Sequence, residues 1–346
     1  MSLSSLLKSF DTGLFAATCE YLRDGSLLCG TYQLLSGPEN ENGSQVGTRL
    51  GGLLMLSAEA AELKDPLEMS AGVLDIKPHP TDNLVAVMLA DGSVNLMASG
   101  ASETAGRARL MEQQRVAVTE GMCLAGAWSC KVGSLSVSDS KGGFSVVKPI
   151  EANYSVSERF EAVHGYEVWS VCWDHEKPDV VYTGGDDSLL KVTDVRAKST
   201  VSTVRGHDAG VTSIVSDISL DNYVLSGSYD EHIRCWDKRL LKLPLSHLKL
   251  GGGVWRIKIN PHRPNLLACA CMQSGCRIVS ISDAQEFQIV EDFMRDRQLV
   301  YGVDWLPVSR VSAHEADAQS GSVFHLAACS FYDHVLDTFS FRFENS

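Results

Sequence analysis

Aromatic residues and carboxylates stand at matching places in segments that repeat along this chain. Trp169, Trp255 and Tyr301 each follow a valine in the runs Val168-Trp169-Ser170-Val171-Cys172-Trp173, Val254-Trp255-Arg256-Ile257 and Val300-Tyr301-Gly302-Val303-Asp304-Trp305. A further run, Val211-Thr212-Ser213-Ile214, carries threonine at that place. Asp186, Tyr229 and Tyr332 stand in polar turns beside Asp187, Asp230 and Asp333. Aromatic faces mixed with carboxylates suit a cation, above all a methylated ammonium, at about 0.5–2 kcal/mol per good ring contact. Trp169, Trp255, Tyr301, Asp186, Asp187, Tyr229 and Tyr332 are therefore candidate ligand-binding residues. The alternative for the first three is packing between neighbouring elements, which is also the reading of Trp173 and Trp305, further along their strands.

Two histidines are candidate general bases, a role in which imidazole is the commonest side chain. His334 follows Asp333 in a turn, and His164 precedes Gly165 just before Glu167. Asp333 and Glu167 are the carboxylates placed to orient these rings. His207 with Asp230 fits a structural tie instead. Asp187 and Asp333 lack a Gly-His partner at the usual spacing, so they read as freer carboxylates. Gly-x-Ser-x-Gly, Gly-x-Gly-x-x-Gly, a Walker loop and His-Glu-x-x-His are all absent.

These residues need a scaffold, and the repeats supply it. Tyr182-Thr183-Gly184-Gly185-Asp186-Asp187-Ser188-Leu189-Leu190-Lys191-Val192-Thr193-Asp194 and Leu225-Ser226-Gly227-Ser228-Tyr229-Asp230-Glu231-His232-Ile233-Arg234-Cys235-Trp236-Asp237 each read as strand, tight turn and strand. Asp187 and Asp230 are 43 residues apart, within the period of about 40–45 of a four-stranded propeller blade. Cys329-Ser330-Phe331-Tyr332-Asp333-His334 is a third copy; Ala90-Asp91-Gly92-Ser93 and Ser274-Gly275-Cys276-Arg277 are weaker ones. First strands are expected near Phe15, Val73, Met122, Val168, Val211, Val254 and Val300, which makes seven blades. The last blade runs out of chain after three strands, so Leu6-Leu7-Lys8-Ser9-Phe10 should supply its fourth and close the ring, removing open sheet edges. The expectation is an all-β chain, residues 1–346 forming one seven-bladed propeller domain, with Ser36–Thr48 and Ser309–Ser322 as loops. Gly206-His207 and Trp236-Asp237 resemble the ends of blades in WD-repeat proteins.

Composition agrees with a soluble globular chain: 346 residues, 44% apolar and 21% charged, with 30 basic against 43 acidic residues and a net charge of −13. An acidic chain argues against nucleic acid as partner. No apolar run spans a membrane, and the N-terminus lacks the pattern of a signal peptide. The 10 cysteines show no framework spacing, so they read as free buried thiols with no metal site. The cytosol, or the nucleus, is the expected compartment, and Asn42-Gly43-Ser44 and Asn153-Tyr154-Ser155 are then chance sequons.

Five blocks occur together in order: Gly184-Gly185-Asp186-Asp187, Gly227-Ser228-Tyr229-Asp230-Glu231-His232, Gly251-Gly252-Gly253-Val254-Trp255-Arg256-Ile257-Lys258, Tyr301-Gly302-Val303-Asp304-Trp305 and Cys329-Ser330-Phe331-Tyr332-Asp333-His334. This constellation resembles the WD-repeat diphthine methyl ester esterases of diphthamide biosynthesis, most closely between Val163 and His334, and more loosely at Leu28-Cys29-Gly30-Thr31-Tyr32-Gln33-Leu34. Asp337-Thr338-Phe339-Ser340-Phe341 departs from the family's Trp-ended blade. The resemblance implies a cofactor-free hydrolase that removes the methyl ester of diphthine, a modified histidine of elongation factor 2, and releases methanol. It implies a trimethylammonium group as occupant of the aromatic, acidic mouth. For such a hydrolysis His334 and His164 are the expected bases acting on water, with Asp333 or Glu167 orienting the imidazole. Arg256 is the expected oxyanion partner, with Cys271 and Ser330 as outside candidates for a nucleophile. A second reading makes the chain a non-catalytic substrate receptor: Trp236-Asp237-Lys238-Arg239, and more weakly Thr193-Asp194-Val195-Arg196, resemble endings that dock WD-repeat proteins to the adaptor of a cullin ubiquitin ligase.

Overall fold

The computed structural model describes residues 4–35, 47–57, 63, 66–101, 108–307 and 322–343. Most of the two expected long loops and the first sequon lie outside the described residues. Seven antiparallel sheets follow one another along the chain. Their innermost strands are Ala16–Tyr21, Val73–Pro78, Cys123–Trp128, Val168–Trp173, Val211–Val215, Arg256–Ile259 and Val300–Trp305. Each inner strand packs against the next, and the first packs against the last, so the sheets form a closed ring of blades. The strand Ser4–Asp11 is the outermost of the seventh blade, antiparallel to Val335–Phe343 from Ser4↔Phe341 to Asp11↔Val335. Blade number and closure are as the repeat spacing predicts, and the departing segment 337–341 lies inside a regular strand.

The recurring Val and Gly residues form the contact between blades. Val168, Val211, Val254 and Val300, which open their blades, are fully buried. A Cβ added to Gly184 would stand 2.7 Å from Val211 Cγ1, and one on Gly227 2.7 Å from Val254 Cγ1. Glycine in the second strand is thus what lets the next blade's valine approach.

Six of the inner strands carry a register shift next to their first residue, as between Val168 and Ser170, Val211 and Ser213, and Val300 and Gly302. The skipped residues are Ala17, Leu74, Leu124, Trp169, Thr212 and Tyr301. A β-bulge re-aims the extra side chain. Here it is the device that turns Trp169 and Tyr301 into the mouth. In the sixth blade Trp255 precedes its strand, its N–H donating to Ala270 O at 2.9 Å.

A second device ties turn to strand. In the fifth blade His207 Nδ1 lies 2.9 Å from Asp230 Oδ2 and Nε2 2.7 Å from Ser226 Oγ, which also accepts from Trp236 Nε1 at 2.7 Å. The fourth blade repeats it: His164 Nδ1 lies 2.8 Å from Asp187 Oδ1 and Nε2 2.9 Å from Thr183 Oγ1. The expectation that Asp187 lacks a histidine partner is therefore corrected. Both pairs are 23 residues apart, and that spacing carries the tie although Gly and His are reversed at His164-Gly165.

Candidate functional site

Inner strands begin, and the Asp-bearing turns lie, on one face of the ring, called the top. The bulge residues and turn residues meet there in a continuous aromatic arc. Trp169 and Trp255 have ring centroids 5.6 Å apart, Tyr229 and Trp255 5.8 Å, and Trp255 and Tyr301 4.7 Å, with planes tilted by 41–56°. The arc continues from Tyr301 to Phe331 at 5.4 Å, and Phe331 touches Phe15 at 4.8 Å, Tyr332 at 5.1 Å and Tyr32 at 6.1 Å. His334 closes the far end, edge-on to Phe15 at 4.7 Å. Of the rings expected there, Trp169, Tyr229, Trp255 and Tyr301 are half-buried and Tyr332 is exposed. Phe15, Tyr32 and Phe331 were not anticipated; the sequence signal for Phe331 is its place beside Tyr332 in the third turn copy.

Carboxylates gather at one end of the arc. Trp169 Nε1 donates to Asp186 Oδ1 at 3.0 Å, which fixes the indole. Asp186 is exposed and Glu167 half-exposed, and Asp186 N bonds Glu167 O at 2.9 Å. Burial, then Tyr301 and the negative charges of Asp186 and Glu167, hold the Tyr229 hydroxyl well above the usual phenol range. Burial with Tyr332 nearby pushes the Tyr301 hydroxyl up to about 12. These hydroxyls stay protonated at neutral pH, so Glu167 and Asp186 carry the negative charge at this end.

The expected acid–base residues fare differently. His164 is buried with both ring nitrogens engaged, and burial lowers its pKa despite Asp187. It ties a blade together and has no nitrogen left for a substrate proton, which corrects its expected role as base. Asp187 correspondingly serves the blade: against burial, the His164 bond and the N–H groups of Gly165 and Leu189 hold its carboxyl below the usual range. Asp333 does not orient His334. Its Oδ2 accepts from Gln298 N at 2.8 Å and from the Ser330 hydroxyl, so it stabilises its own turn. His334 sits in that turn at φ 55°, its ring making no hydrogen bond among the described residues. Ser330 and Cys271 are buried, and burial pushes the Cys271 thiol up to about 12, so neither is a poised nucleophile.

Arg256 turns away from the arc. Its guanidinium reaches across the channel to Asp75 of the second blade, Nη2 to Oδ1 at 3.0 Å. Lys77 pairs with Glu20 at 2.8 Å and Asp75 at 2.9 Å, and Lys258 pairs with Glu20 and, at 3.4 Å, with Asp304. Against burial, which favours its neutral form, the Asp75 and Glu20 carboxylates hold Arg256 above its ordinary value. This corrects its expected role as oxyanion partner: it is a strut of an ion network below the mouth. Burial pushes Asp304 up to about 6 against the pull of Lys258, while Lys258, Lys77 and Arg256 outweigh burial at Glu20 and bring it to about 2.

Residues 198–237 match the family described as WD domain, G-beta repeat. A chain in the crystal structure of a mitotic checkpoint complex superposes with a TM-score of 0.74 at 14% identity, over 99% of this chain and 92% of that one, which shows the fold alone. A human protein named diphthine methyltransferase is 33% identical over 86% of this chain and 74% of its own length. The chain belongs to the diphthine methyltransferase family. A Dictyostelium discoideum homologue of that name is 29% identical over 78% of this chain and 76% of its own, and a Schizosaccharomyces pombe member 26% identical over 92% of each. The family name corrects the expected reaction. Its members are named for methyl transfer, a transferase activity, and not for hydrolysis of a methyl ester. Nothing supports the receptor reading either: Arg239 folds back on Asp237 through bonds of 2.9 and 2.6 Å, and Asp194 caps the N–H groups of Arg196 and Ala197.

Proposed function

We propose that this chain acts in the methyl chemistry of diphthine and binds that side chain, carried by elongation factor 2, at the top mouth. The observation that carries the reading is the acidic end of the arc, where Trp169, Tyr229 and Trp255 meet beside Asp186 and Glu167. Ring faces attract an ammonium electrostatically, most strongly where water is partly excluded, and the two carboxylates add Coulombic attraction of the same sign. A trimethylammonium group has no N–H to donate, so it gains from ring faces what a hydrogen-bonding site cannot give it.

The family name implies a methyl donor. Nucleotide-like groups are commonly held at a glycine-rich turn opening a helix on a parallel sheet. The described residues are antiparallel strands with a single 3-10 turn, Ile218–Leu220, so they do not fit a donor held in that way. What this chain's own residues do at the mouth is bind the ammonium with rings, hold the Trp169 indole by Asp186, and offer the His334 imidazole at the far end.

The test is mass spectrometry of the modified peptide of elongation factor 2 after incubation with purified chain, with and without a methyl donor and cell extract. A gain of one methyl mass that requires the chain, and that Trp255→Ala abolishes, is the expected result. Loss of a methyl mass, or equal behaviour of wild type and Trp255→Ala, would overturn the reading.

A further inference from the structure

The histidine tie is not repeated in the third blade. His164 and His207 stand four residues before the inner strands that open at Val168 and Val211, and at that distance before Cys123 stands Thr119. The turn changes with it. Its left-handed residue is Ser188 in the fourth blade, Glu231 in the fifth and Gly142 in the third, at φ 64°, 68° and 88°. The residue before it is Asp187 or Asp230 in the tied blades but Lys141 in the third. Three residues after it come Lys191, Arg234 and, in the third blade, Ser145.

That last position decides what fills the cleft between the turn and the segment crossing from the preceding blade. In the fifth blade the Arg234 guanidinium fills it, donating to Asp230 Oδ2 at 2.7 Å beside His207. In the fourth, Lys191 reaches across to donate to Val163 O. The matching carbonyl of the third blade, Val118 O, takes Arg159 from the outer strand instead. Thr119 bonds within its own loop, Oγ1 accepting from Gly121 N at 3.2 Å. With Ser145 too short to cross, the cleft is a cavity of about 710 Å³.

Two buried acceptors line this cavity. Ser145 is 3% exposed, and its hydroxyl makes no hydrogen bond among the described residues. Asp139 is 8% exposed; its Oδ1 caps the N–H groups of Lys141 and Gly143 at 2.8 and 3.0 Å, and its Oδ2 has no hydrogen-bond partner among the described residues. At the rim Glu120 and Glu161 are exposed, and Glu120 pairs with Lys141 at 3.1 Å. Three carboxylates thus face two bases, each base already bonded, and the lining favours a cation that carries N–H donors.

We propose that this cavity binds a guanidinium group, which a ligand brings to the place where the fifth blade holds its own. Arg234 shows that the cleft of a blade of this ring accommodates that group. The lysine of the fourth blade is the weaker guide, because the carbonyl it serves is taken in the third. A guanidinium offers five donors in a rigid fork, enough for both Asp139 Oδ2 and Ser145 Oγ. The chemistry is the reverse of that at the mouth, where ring faces suit a cation with no N–H, and the inference stands independently of the reading of the mouth. An arginine side chain of a partner protein and a free guanidino compound share this chemistry.

Titration calorimetry of the full chain tests it with N-acetyl-arginine methylamide, its citrulline counterpart and the peptide Gly-Gly-Arg-Gly-Gly. The arginine amide should bind about tenfold or more tightly than the citrulline amide, whose urea group keeps the shape and loses the charge. Ser145→Arg, which restores what the fifth blade carries, should abolish binding. Asp139→Asn, which keeps the capping oxygen, should weaken it about tenfold, and either variant serves where the other does not fold. Trp255→Ala should leave it unchanged. Tighter binding of the peptide than of the amide assigns the group to a protein side chain, and the opposite order to a free compound. Equal affinity for arginine and citrulline amides, binding of neither, undiminished binding in folded Ser145→Arg, or loss of binding in Trp255→Ala would each overturn the site.

Discussion

Trp255 and Arg256 are neighbours in sequence, yet they belong to two regions governed by opposite rules. Trp255 lies in the mouth, where rings are half-exposed and two carboxylates are without a cation partner among the described residues. Arg256 lies in the channel, where Glu20, Asp75 and Asp304 are matched by Lys77, Lys258 and Arg256 in ion pairs that cross from the sixth blade to the first and second. Unspent attraction in the mouth is available to a ligand. In the channel it is spent within the protein, and the two neighbours part where the strand begins, with Trp255 before it and Arg256 its first residue.

The comparison breaks most readily at Asp75, which is fully buried and holds both Lys77 and Arg256. Asp75→Ala leaves two cations without that partner and also orphans Gly126 N. Removing one side of a buried pair costs about 3–5 kcal/mol, so urea denaturation should show a loss of that order. An Asp75→Leu, Arg256→Met double variant should recover the part due to Arg256, whose charge is removed with its partner, while Gly126 N and Lys77 still lack Asp75. A loss below about 1 kcal/mol in Asp75→Ala would mean that the channel charges are solvated and the contrast false.

In the mouth the expected pattern is reversed. Trp255→Ala removes the ring that touches Trp169, Tyr229 and Tyr301 and should weaken trimethylammonium binding about two- to thirtyfold, the equivalent of about 0.5–2 kcal/mol for one ring. Its effect on folding should be well below that of Asp75→Ala. The discriminating measurement is the pair of numbers, affinity by calorimetry and midpoint by urea denaturation, for the two variants side by side. Loss of stability without loss of affinity in Trp255→Ala would make the arc a packing feature.

The histidines sharpen the same contrast on a smaller scale. His207→Ala leaves Asp230, Ser226 and Asp208 N with a lost or weakened partner in a buried turn, for an expected cost of about 1–3 kcal/mol. His334→Ala removes a ring with no such bonds and should cost less than about 1 kcal/mol. Equal costs would place His334 among the structural ties.

Much of this was legible in one dimension. The 43-residue interval between Asp187 and Asp230, and the valines opening four of the inner strands, specify blades because a valine-on-glycine contact recurs between them, at Gly30–Val73, Gly184–Val211 and Gly227–Val254. Trp169, Trp255 and Tyr301 could be placed at a mouth because they share a position relative to those valines. Arg256 was misread because adjacency to Trp255 suggested a shared direction, while its partner Asp75 is 181 residues away. Phe15 and Tyr32 were missed because they reach the arc only after the ring closes, when the first blade meets the seventh. His164 was misread from local order, whereas its 23-residue spacing to Asp187 held the answer. The reaction was misassigned because no residue pattern at the mouth distinguishes adding a methyl group from removing one.

The smallest expected effect is the pH dependence, and it sets the two regions against each other. Burial holds His164 and His207 below their ordinary value of 6.5. The unfolded chain therefore binds more protons near that pH, and their contribution to stability falls as pH drops through about 6.5. Asp304 behaves oppositely: its folded value of about 6 lies above the ordinary 3.8, so its contribution is full below about 4 and is lost as pH rises through about 6. Between pH 7.5 and 5.5 the channel carboxyl thus offsets part of the loss from the blade histidines. Asp304→Asn retains an acceptor for Tyr21 N but cannot titrate, so its stability should fall more steeply than the wild type's over that interval. A slope equal to that of wild type would show that Asp304 titrates in the folded chain as it does in the unfolded one. The ion network would then be no drier than the mouth above it.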